Sequence, residues 1–292
     1  MNPQGDAMDS VTLTISCPDK KGILAGVTSF IHANSGNIIM LDEFVDPVTK
    51  RFFMRLEWSL AGFRIKRSAL RRSIGALISA MGLDADWDLF FSDEKPRMAV
   101  FVSKYDHCIY DLLLKQRTGE LKCDIPVIIS NHPDLSYVGK TFGVPFVHVR
   151  VTPENRAAEE RKELALLKKH RVDFIVLARY MQVLSPAFIA EYDRRIINIH
   201  HSFLPAFEGA DPYRRAFERG VKIIGATAHF ATGGLDKGPI IQQGVAAVSH
   251  KETVEDLRVK GREIERKVLA DAVKLFVEHR IFVCGNRTVI LS

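Results

Sequence analysis

The sequence predicts an α/β protein in two parts: a βαββαβ unit over residues 1–92 and a doubly wound, mostly parallel sheet over residues 93–292. Three observations predict this. Short β-branched runs alternate with runs whose apolar residues recur every three or four positions, and the series starts twice. A polar stretch ending in proline, SDEKP at 92–96, separates the two series and reads as a linker. Beyond it the strand runs are almost continuously apolar, as in strands covered on both faces.

In the first part, SVTLTIS (10–16) is a strand pattern. CPDKKG supplies a turn, with Asp19 as the expected N-cap of the helix that follows. That helix, GILAGVTSFIHAN, carries a stripe of Ile23, Leu24, Val27, Phe30 and Ile31 and ends at Ser35-Gly36. NIIMLDEFVD and KRFFMRLEWSL are two strands joined by a turn at Asp46-Pro47-Val48-Thr49. IKRSALRRSIGALISAMG is an amphipathic helix closed by Gly82, and DADWDLFFS is the last strand. The order is that of a ferredoxin-like unit. It offers no catalytic cluster.

In the second part, RMAVFVS is a strand and HCIYDLLLKQRTG a helix ending at Gly119. PVIIS is a strand, followed by a polar stretch, NHPDLSYVGKTFG, read as irregular. PFVHVRV is a strand, ENRAAEERKELALLKKH a helix and VDFIVLA a strand. RRIINIH (194–200) is the fifth strand of this part. VKIIGATAHF and GPIIQQGVAAV are further strands, TVEDLRVKGREIERKVLADAVKLFVEH a long helix, and RIFVCGNRTVIL a closing hairpin turning at Gly285-Asn286.

Composition narrows the function classes. No apolar run reaches the roughly 18–20 residues of a membrane helix, and the polar start MNPQGDAMDS has no signal-peptide core. Cys17, Cys108, Cys123 and Cys284 are scattered, which argues against a zinc ribbon or a disulfide framework and predicts a cytoplasmic protein. The net charge of +6 is spread among interleaved acids, and no nucleic-acid motif is present.

The chemistry concentrates at NIHHSFLPAF (198–207). Asn198 and His200 lie two apart and leave the strand on one face, at the C-terminal rim where α/β proteins bind ligands. An asparagine amide can donate to an oxyanion, and a histidine can pass protons either way near neutrality. Asp236, in the glycine-rich loop TGGLDKGPII, can reach that rim, orient the histidine or hold a water. Taken singly, each has a bland reading: a bonded strand-end amide, a core histidine, a turn aspartate. A metal held by His200, His201 and His229 is disfavoured, because adjacent histidines on a strand face opposite ways. His201 is read as shaping the site.

These residues carry a resemblance. NIHHSFLPAF with LDKGPII is similar to the formyltransferase fold of tetrahydrofolate-dependent enzymes, where an Asn-x-His pair and a downstream Asp form the catalytic triad. HHS, SNHPDL (130–135), LARYMQVLS (177–185) and GATAHF (225–230) resemble the formyltetrahydrofolate deformylase family within it. CPDKKGILAGVTSFI resembles an ACT domain, a small regulatory module. Together these segments cover nearly the whole chain. Two departures stand out: Asp211 in GADPY, where the family has Asn, and Gly233-Gly234 in place of acidic residues. The second predicts a more mobile, less negative loop.

The resemblance implies a catalytic triad of Asn198, His200 and Asp236, with no metal and no cofactor. It places the folate substrate against the backbone around Gln182, Val183 and Leu184. Arg179 and Tyr180 stand at the loop's entry, Met181 is a further folate-binding residue, and Ser202 and Phe203 shape the pocket. It implies an amino-acid effector, such as glycine or methionine, near Gly22, Ile23, Leu24, Asn34 and Asn37. The ACT-like part also implies a homo-oligomer, and the activity implies a link to one-carbon pools and formate supply for purine synthesis.

One residue-level argument favours water over an amine as formyl acceptor. A transferase acting on a phosphorylated amine needs a phosphate cradle, usually a glycine-rich loop after the first strand. Here that loop reads VSKYDHCIYDLL. It has no glycine, and Tyr105 and Asp106 stand where phosphate would approach, although Lys104 could attract an anion. The expected reaction is hydrolysis of 10-formyltetrahydrofolate to tetrahydrofolate and formate. Asp236, with His200, would deprotonate the water, and Asn198 with protonated His200 would stabilise the oxyanion. Transfer to an amine, and a catalytically dead amino-acid sensor, are the alternative readings.

Overall fold

β1 (Ser10–Pro18) alternates inward Val11, Leu13, Ile15 and Cys17 with outward residues, and that period of two makes it a half-covered central strand. It is the middle of a four-stranded antiparallel sheet in the computed structural model, which describes residues 9–205 and 212–291. The sheet runs β2 (Asn37–Val45), β3 (Arg51–Ser59), β1, β4 (Asp86–Phe91). Helices α1 (Ile23–Ala33) and α2 (Arg67–Ala80) supply Ile23, Val27, Ile31, Leu70, Ile74 and Ile78 to one core with Trp58. The βαββαβ expectation therefore describes the observed order.

The local signals differ in one place. Asp19 does not cap α1. The cap is Gly22, in the left-handed region at φ 90°, while the backbone N–H of Asp19 donates to Lys50 O. The end of α1 is a Schellman motif: Gly36 N–H donates to Ile31 O and Ser35 N–H to His32 O, with Ser35 rather than a glycine in the left-handed position. The Asp46 turn forms as expected, its Oδ1 accepting from the Val48 and Thr49 N–H groups.

The chain divides into two compact units. The first holds the described residues up to Lys95 with His279–Phe282 and the residues from Val289; the second holds Pro96–Glu278 and Val283–Thr288. The expected second segment of 93–292 is thus interrupted near its end. The closing hairpin, β12 (Ile281–Cys284) and β13 (Arg287–Ile290), contributes to both units. Within the first unit Phe282 packs on Phe53 and His279 stacks on Phe90.

The second unit is built on a seven-stranded sheet in the order β11-β10-β9-β8-β5-β6-β7. Its strands are β5 (Arg97–Val102), β6 (Asp124–Ser130), β7 (Phe146–His148), β8 (Phe174–Ala178), β9 (Ile196–His200), β10 (Ile223–Phe230) and β11 (Ile240–Ala247). The pairs β5-β6, β6-β7, β5-β8 and β8-β9 are parallel, while β9-β10 and β10-β11 are antiparallel. The chain winds outward from β5 in one direction and from β8 in the other, so the switch point lies between them. Helices α3 (His107–Arg117), α5 (Arg156–Lys169) and α8 (Val254–Val277) form where expected. Three short helices were not read from the sequence: α4 (Ser136–Phe142), α6 (Pro186–Glu191) and α7 (Pro212–Arg219). None exceeds eight residues, too short for its periodicity to stand out. All four cysteines are buried. Among the described residues no helix is long and apolar enough to cross a membrane.

The β10–β11 connection carries Asp236 in the left-handed region, at φ 53°. It closes on Gly238, where an added Cβ would lie 1.7 Å from Phe230 O, so no other residue fits without moving the backbone. Gly238→Ala is expected to cost about 1–3 kcal/mol in urea unfolding, the usual range for an unrelieved steric insertion. Gly233→Ala, whose Cβ meets nothing within 4 Å, is expected to stay within about 0.5 kcal/mol of the parent. Equal effects at both positions would contradict the close-approach argument.

Candidate active site

β9 delivers Asn198 and His200 to the C-terminal rim of the sheet, and its antiparallel partner β10 sets what they meet. The register places His229 opposite Asn198 and Thr227 opposite His200. Asp236 then folds back over the same rim. His200 Nδ1 lies 3.0 Å from Asp236 Oδ2, and His229 Nε2 lies 3.5 Å from Asp236 Oδ1. Asn198 Nδ2 lies 3.1 Å from His229 Nε2 and 3.5 Å from Asp236 Oδ1. The three residues singled out from the sequence converge, with His229 as a fourth member.

Donor and acceptor roles follow from chemistry. His229 Nδ1 is 2.9 Å from Phe230 O, which can only accept, so Nδ1 carries a proton. In the neutral ring Nε2 is then the acceptor for one Asn198 amide hydrogen. The second amide hydrogen lies at the outer limit of a bond to Asp236 and remains available to a substrate oxygen. Asp236 is ionised and accepts from His200 Nδ1–H, which leaves His200 Nε2 as the reactive nitrogen. That atom is buried and has no hydrogen-bond partner.

The electrostatics alter one expectation. Burial alone would raise the Asp236 pKa, but the hydrogen bond from His200, with His229 close by, outweighs it and holds the carboxyl well below the ordinary range. So weak a base does not take a proton from water. Asp236 orients and stabilises the imidazole, and the proton acceptor of this constellation is His200 Nε2. Burial, reinforced by Arg179, lowers the His201 pKa to about 4, so His201 is neutral at physiological pH.

The segment after β9 is strapped down through Thr227. Its hydroxyl donates to Ser202 O and accepts from the Leu204 N–H and from Gln243 Nε2. Ser202 is therefore buried scaffold, whereas Phe203 is partly exposed and lies against Gly225. Asp211 lies outside the described residues.

The loop after β8 separates into inward and outward residues. Arg179, at φ 62°, points inward to Glu265, with its guanidinium over the Tyr105 ring. The Tyr180 hydroxyl donates to Glu163 Oε1 at 3.2 Å, and burial pushes the Glu163 carboxyl up to about 7. Leu184 is core. Met181 and Val183 are more than half exposed, at 54% and 51%, and Gln182 lies between them. The Met181 N–H donates to Ser103 Oγ, which donates in turn to Asn131 Oδ1, and the Ser185 N–H donates to Glu160. Tyr180 and Leu184 are thus buried and present little side chain to solvent.

In the first unit, Ile23 is core and Leu24 partly exposed. The Asn34 amide donates to Phe30 O within α1, and Asn37 is exposed at the start of β2. These residues lie at the two ends of α1 and the start of β2.

Sequence reading missed the cluster around Glu265. His107 Nε2 donates to Glu265 Oε2 at 2.8 Å, the Tyr213 hydroxyl to Oε1 at 2.6 Å, and Arg179 Nη1 lies 3.5 Å from Oε1. A signal was present: Glu265 interrupts the buried stripe Leu257, Gly261, Ile264, Val268 of α8. His107, Cys108 and Glu265 bring potential metal ligands within 4.8 Å of one another. Both carboxylate oxygens there are already engaged, one of them by a cation.

Comparison with known proteins bears on the family and the fold. Residues 96–273 match the formyl transferase family. A formyltetrahydrofolate deformylase of Synechocystis sp. is 52% identical over 97% of this chain and 99% of its own length. The crystal structure of a formyltetrahydrofolate deformylase from Pseudomonas syringae superposes with a TM-score of 0.95 at 39% identity, covering 99% of this chain and 96% of that one. The glycinamide ribonucleotide transformylase 1 of Symbiobacterium toebii shares the fold at a TM-score of 0.64 and 34% identity, covering 70% of this chain and 98% of that one.

The His200–Asp236 bond has a measurable signature. With its folded pKa below the unfolded value near 4, Asp236 adds stability at pH above about 4, and that stability is lost as pH falls toward the folded pKa. The melting temperature of the wild type is expected to fall more steeply between about pH 4 and pH 2 than that of Asp236→Asn. Parallel profiles in calorimetry would rule out a depressed Asp236.

Proposed function

The chain belongs to the formyl transferase family, in its formyltetrahydrofolate deformylase branch, and from that premise we propose that it hydrolyses 10-formyltetrahydrofolate to tetrahydrofolate and formate. The observation that carries the chemistry is the pairing of His200 Nδ1 with Asp236 at 3.0 Å, which leaves Nε2 buried and without a partner. A neutral imidazole so oriented is a general base, and the imidazolium it becomes is stabilised by the carboxylate behind it.

The steps follow from these positions. A water between His200 Nε2 and the formyl carbon gives its proton to Nε2 as its oxygen bonds to that carbon. The former carbonyl oxygen becomes an oxyanion and takes the second amide hydrogen of Asn198. As the tetrahedral adduct collapses, the C–N10 bond breaks, its electron pair goes to N10, and the Nε2 proton follows. Formic acid leaves and ionises. No metal is needed: the family resemblance implies none, and the three side chains supply base, acid and oxyanion donor. His229 and Thr227 keep Asn198 and the following strap in register.

The folate platform we propose is the outward edge of the loop 179–185. Gln182 and the exposed Met181 and Val183 face the ligand, Arg179 and Tyr180 hold the loop from within, and Leu184 contributes its backbone. Phe203 walls the pocket and Ser202 supports that wall. The proposed setting is cytoplasmic, as a homo-oligomer, balancing one-carbon pools and supplying formate for purine synthesis. The ACT-like unit would bind an amino acid, such as glycine or methionine, at the Gly22–Leu24 turn and the Asn34–Asn37 connection.

Formate release from 10-formyltetrahydrofolate without an amine acceptor tests the reaction. Wild-type protein is expected to release formate. Asn198→Ala should lose about two to three decades in kcat, the usual effect of removing one oxyanion donor, with its circular dichroism unchanged. A folded wild type that releases none would refute hydrolysis. For the effector, glycine and methionine titrated into the same assay are expected to change the rate in wild type, with the response weakened in Gly22→Val. A flat response to both would remove the regulatory reading.

A further inference from the structure

Beside the proposed catalytic groups stands a second constellation that takes no proton or bond-making step in the hydrolysis, although its Arg179 also anchors the proposed folate loop. The His201 ring lies 5.2 Å from the His200 ring, and Tyr213 lies 6.1 Å beyond His201. The Tyr213 hydroxyl bonds Glu265, which also takes His107 and Arg179. Tyr105 stacks beneath the Arg179 guanidinium at 4.9 Å. His107 opens α3 after β5, Arg179 follows β8, His201 follows β9, Tyr213 lies on α7 and Glu265 on α8. The cluster thus spans the C-terminal ends of β5 and β8, the switch point of the sheet, where open α/β sheets bind their ligands.

Its construction is costly and specific. Arg179, Tyr213 and Glu265 are buried, and an interior ion pair of this kind is rarely more stable than apolar residues of the same volume. Arg179 occupies a left-handed backbone conformation that a non-glycine residue adopts at a cost. α8 carries Gly261 against Tyr213: a Cβ there would lie 2.0 Å from the phenol oxygen, so the helix is cut back to admit the ring. Burial would raise the Glu265 pKa, yet the His107 hydrogen bond and the Arg179 charge hold it below the ordinary range, so it is a saturated carboxylate.

A carboxylate at a switch point, linked to the proposed reacting centre through His201 and Tyr213, could receive a cationic or hydroxylated acceptor. Here the chain's own donors fill it. The same fold serves a transformylase at 34% identity, so the choice of acceptor must rest on side chains around a shared centre. We propose that Tyr213, Arg179 and His107, gathered on Glu265 and walled by His201, form an internal plug of the acceptor subsite and thereby restrict the formyl group to water. These are specificity-determining residues, and the inference rests on the hydrolytic reading above.

The test is the partition of the formyl group, a ratio that does not depend on how much active protein a variant retains. 10-Formyltetrahydrofolate is turned over in the presence of excess glycinamide, and formate and N-formylglycinamide are both counted, with the uncatalysed reaction subtracted. Wild type is expected to give formate alone. Tyr213→Ala, Arg179→Ala and their combination are expected to form N-formylglycinamide in proportion to glycinamide, raising the transfer-to-hydrolysis ratio at least tenfold. His201→Ala, a smaller change, should raise it less. Leu167→Ala, a core truncation away from the cluster, should lower stability and leave the ratio at the wild-type value. Variants that still release formate but never formylate the amine would overturn the plug, and so would a wild type that formylates glycinamide. Should Tyr213→Ala and Arg179→Ala fail to fold, His201→Ala and the wild-type arm decide by the same criterion. A wild type that releases no formate at all would instead refute the hydrolytic reading on which the plug depends.

Discussion

The 3.0 Å contact between His200 Nδ1 and Asp236 Oδ2 is the constraint on which the rest of the site depends. It joins the end of β9 to the connection that follows β10, so each side needs its own support. On the strand side, β9 is flanked by parallel β8 and antiparallel β10, which fixes the height of His200 to within the hydrogen-bond register. On the loop side, Asp236 takes a left-handed conformation and Gly238 lies so close to Phe230 O that no side chain fits. The strained residue and the close approach sit beside the proposed reacting atoms, where such costs are usually found.

Two buried carboxylates show how similar electrostatics can serve different ends. Asp236 and Glu265 are both desolvated, both rescued by donors, and both held below their ordinary pKa. They differ in what their partners can do next. Behind Asp236 stands an imidazole whose other nitrogen has no partner, so charge on the carboxylate is felt at a free base. Glu265 divides its charge among a histidine, a tyrosine and an arginine, although the His107 Nδ1 there is likewise buried and without a partner. The first arrangement concentrates the carboxylate behind imidazole at the strand rim, where a proton can move. The second shares it with a permanent cation and a phenol, and so favours holding shape.

Much of this was legible in the sequence, and what was not has identifiable causes. The regular elements followed from periodicity, because long amphipathic helices such as α8 and continuous apolar strands such as β8 carry strong signals. Asn198, His200 and Asp236 were legible because their chemistry sits at a strand end and in a glycine-rich loop, and because NIHHSFLPAF resembles a known family. The role of His229 was not, since it depends on the β9–β10 register, which pairing rather than local sequence decides. Nor was the function of Arg179 as an inward-facing partner of Glu265. A left-handed residue at the end of β8 turns its side chain away from the side that alternation would assign. The Asp19 cap failed for a similar reason, its backbone N–H being drawn to Lys50 O by the neighbouring turn.

The loop after β8 shows how an irregular segment becomes a firm surface. Arg179 is tied to Glu265, the Tyr180 hydroxyl to Glu163, the Met181 N–H to Ser103 Oγ, and the Ser185 N–H to Glu160. Between these anchors the exposed Met181 and Val183 present apolar area on a backbone that is already ordered, so a flat ligand that covers them costs little further loop entropy. The Tyr180 anchor is also tolerant of pH. With its carboxyl pushed up to about 7, Glu163 passes between charged and neutral forms around physiological pH. As a carboxylate it accepts the phenol hydrogen, and as an acid it can donate to the phenol oxygen, so the bond survives the change. A proposed folate platform built on that bond would keep its shape across the pH range in which the neighbouring histidine chemistry operates.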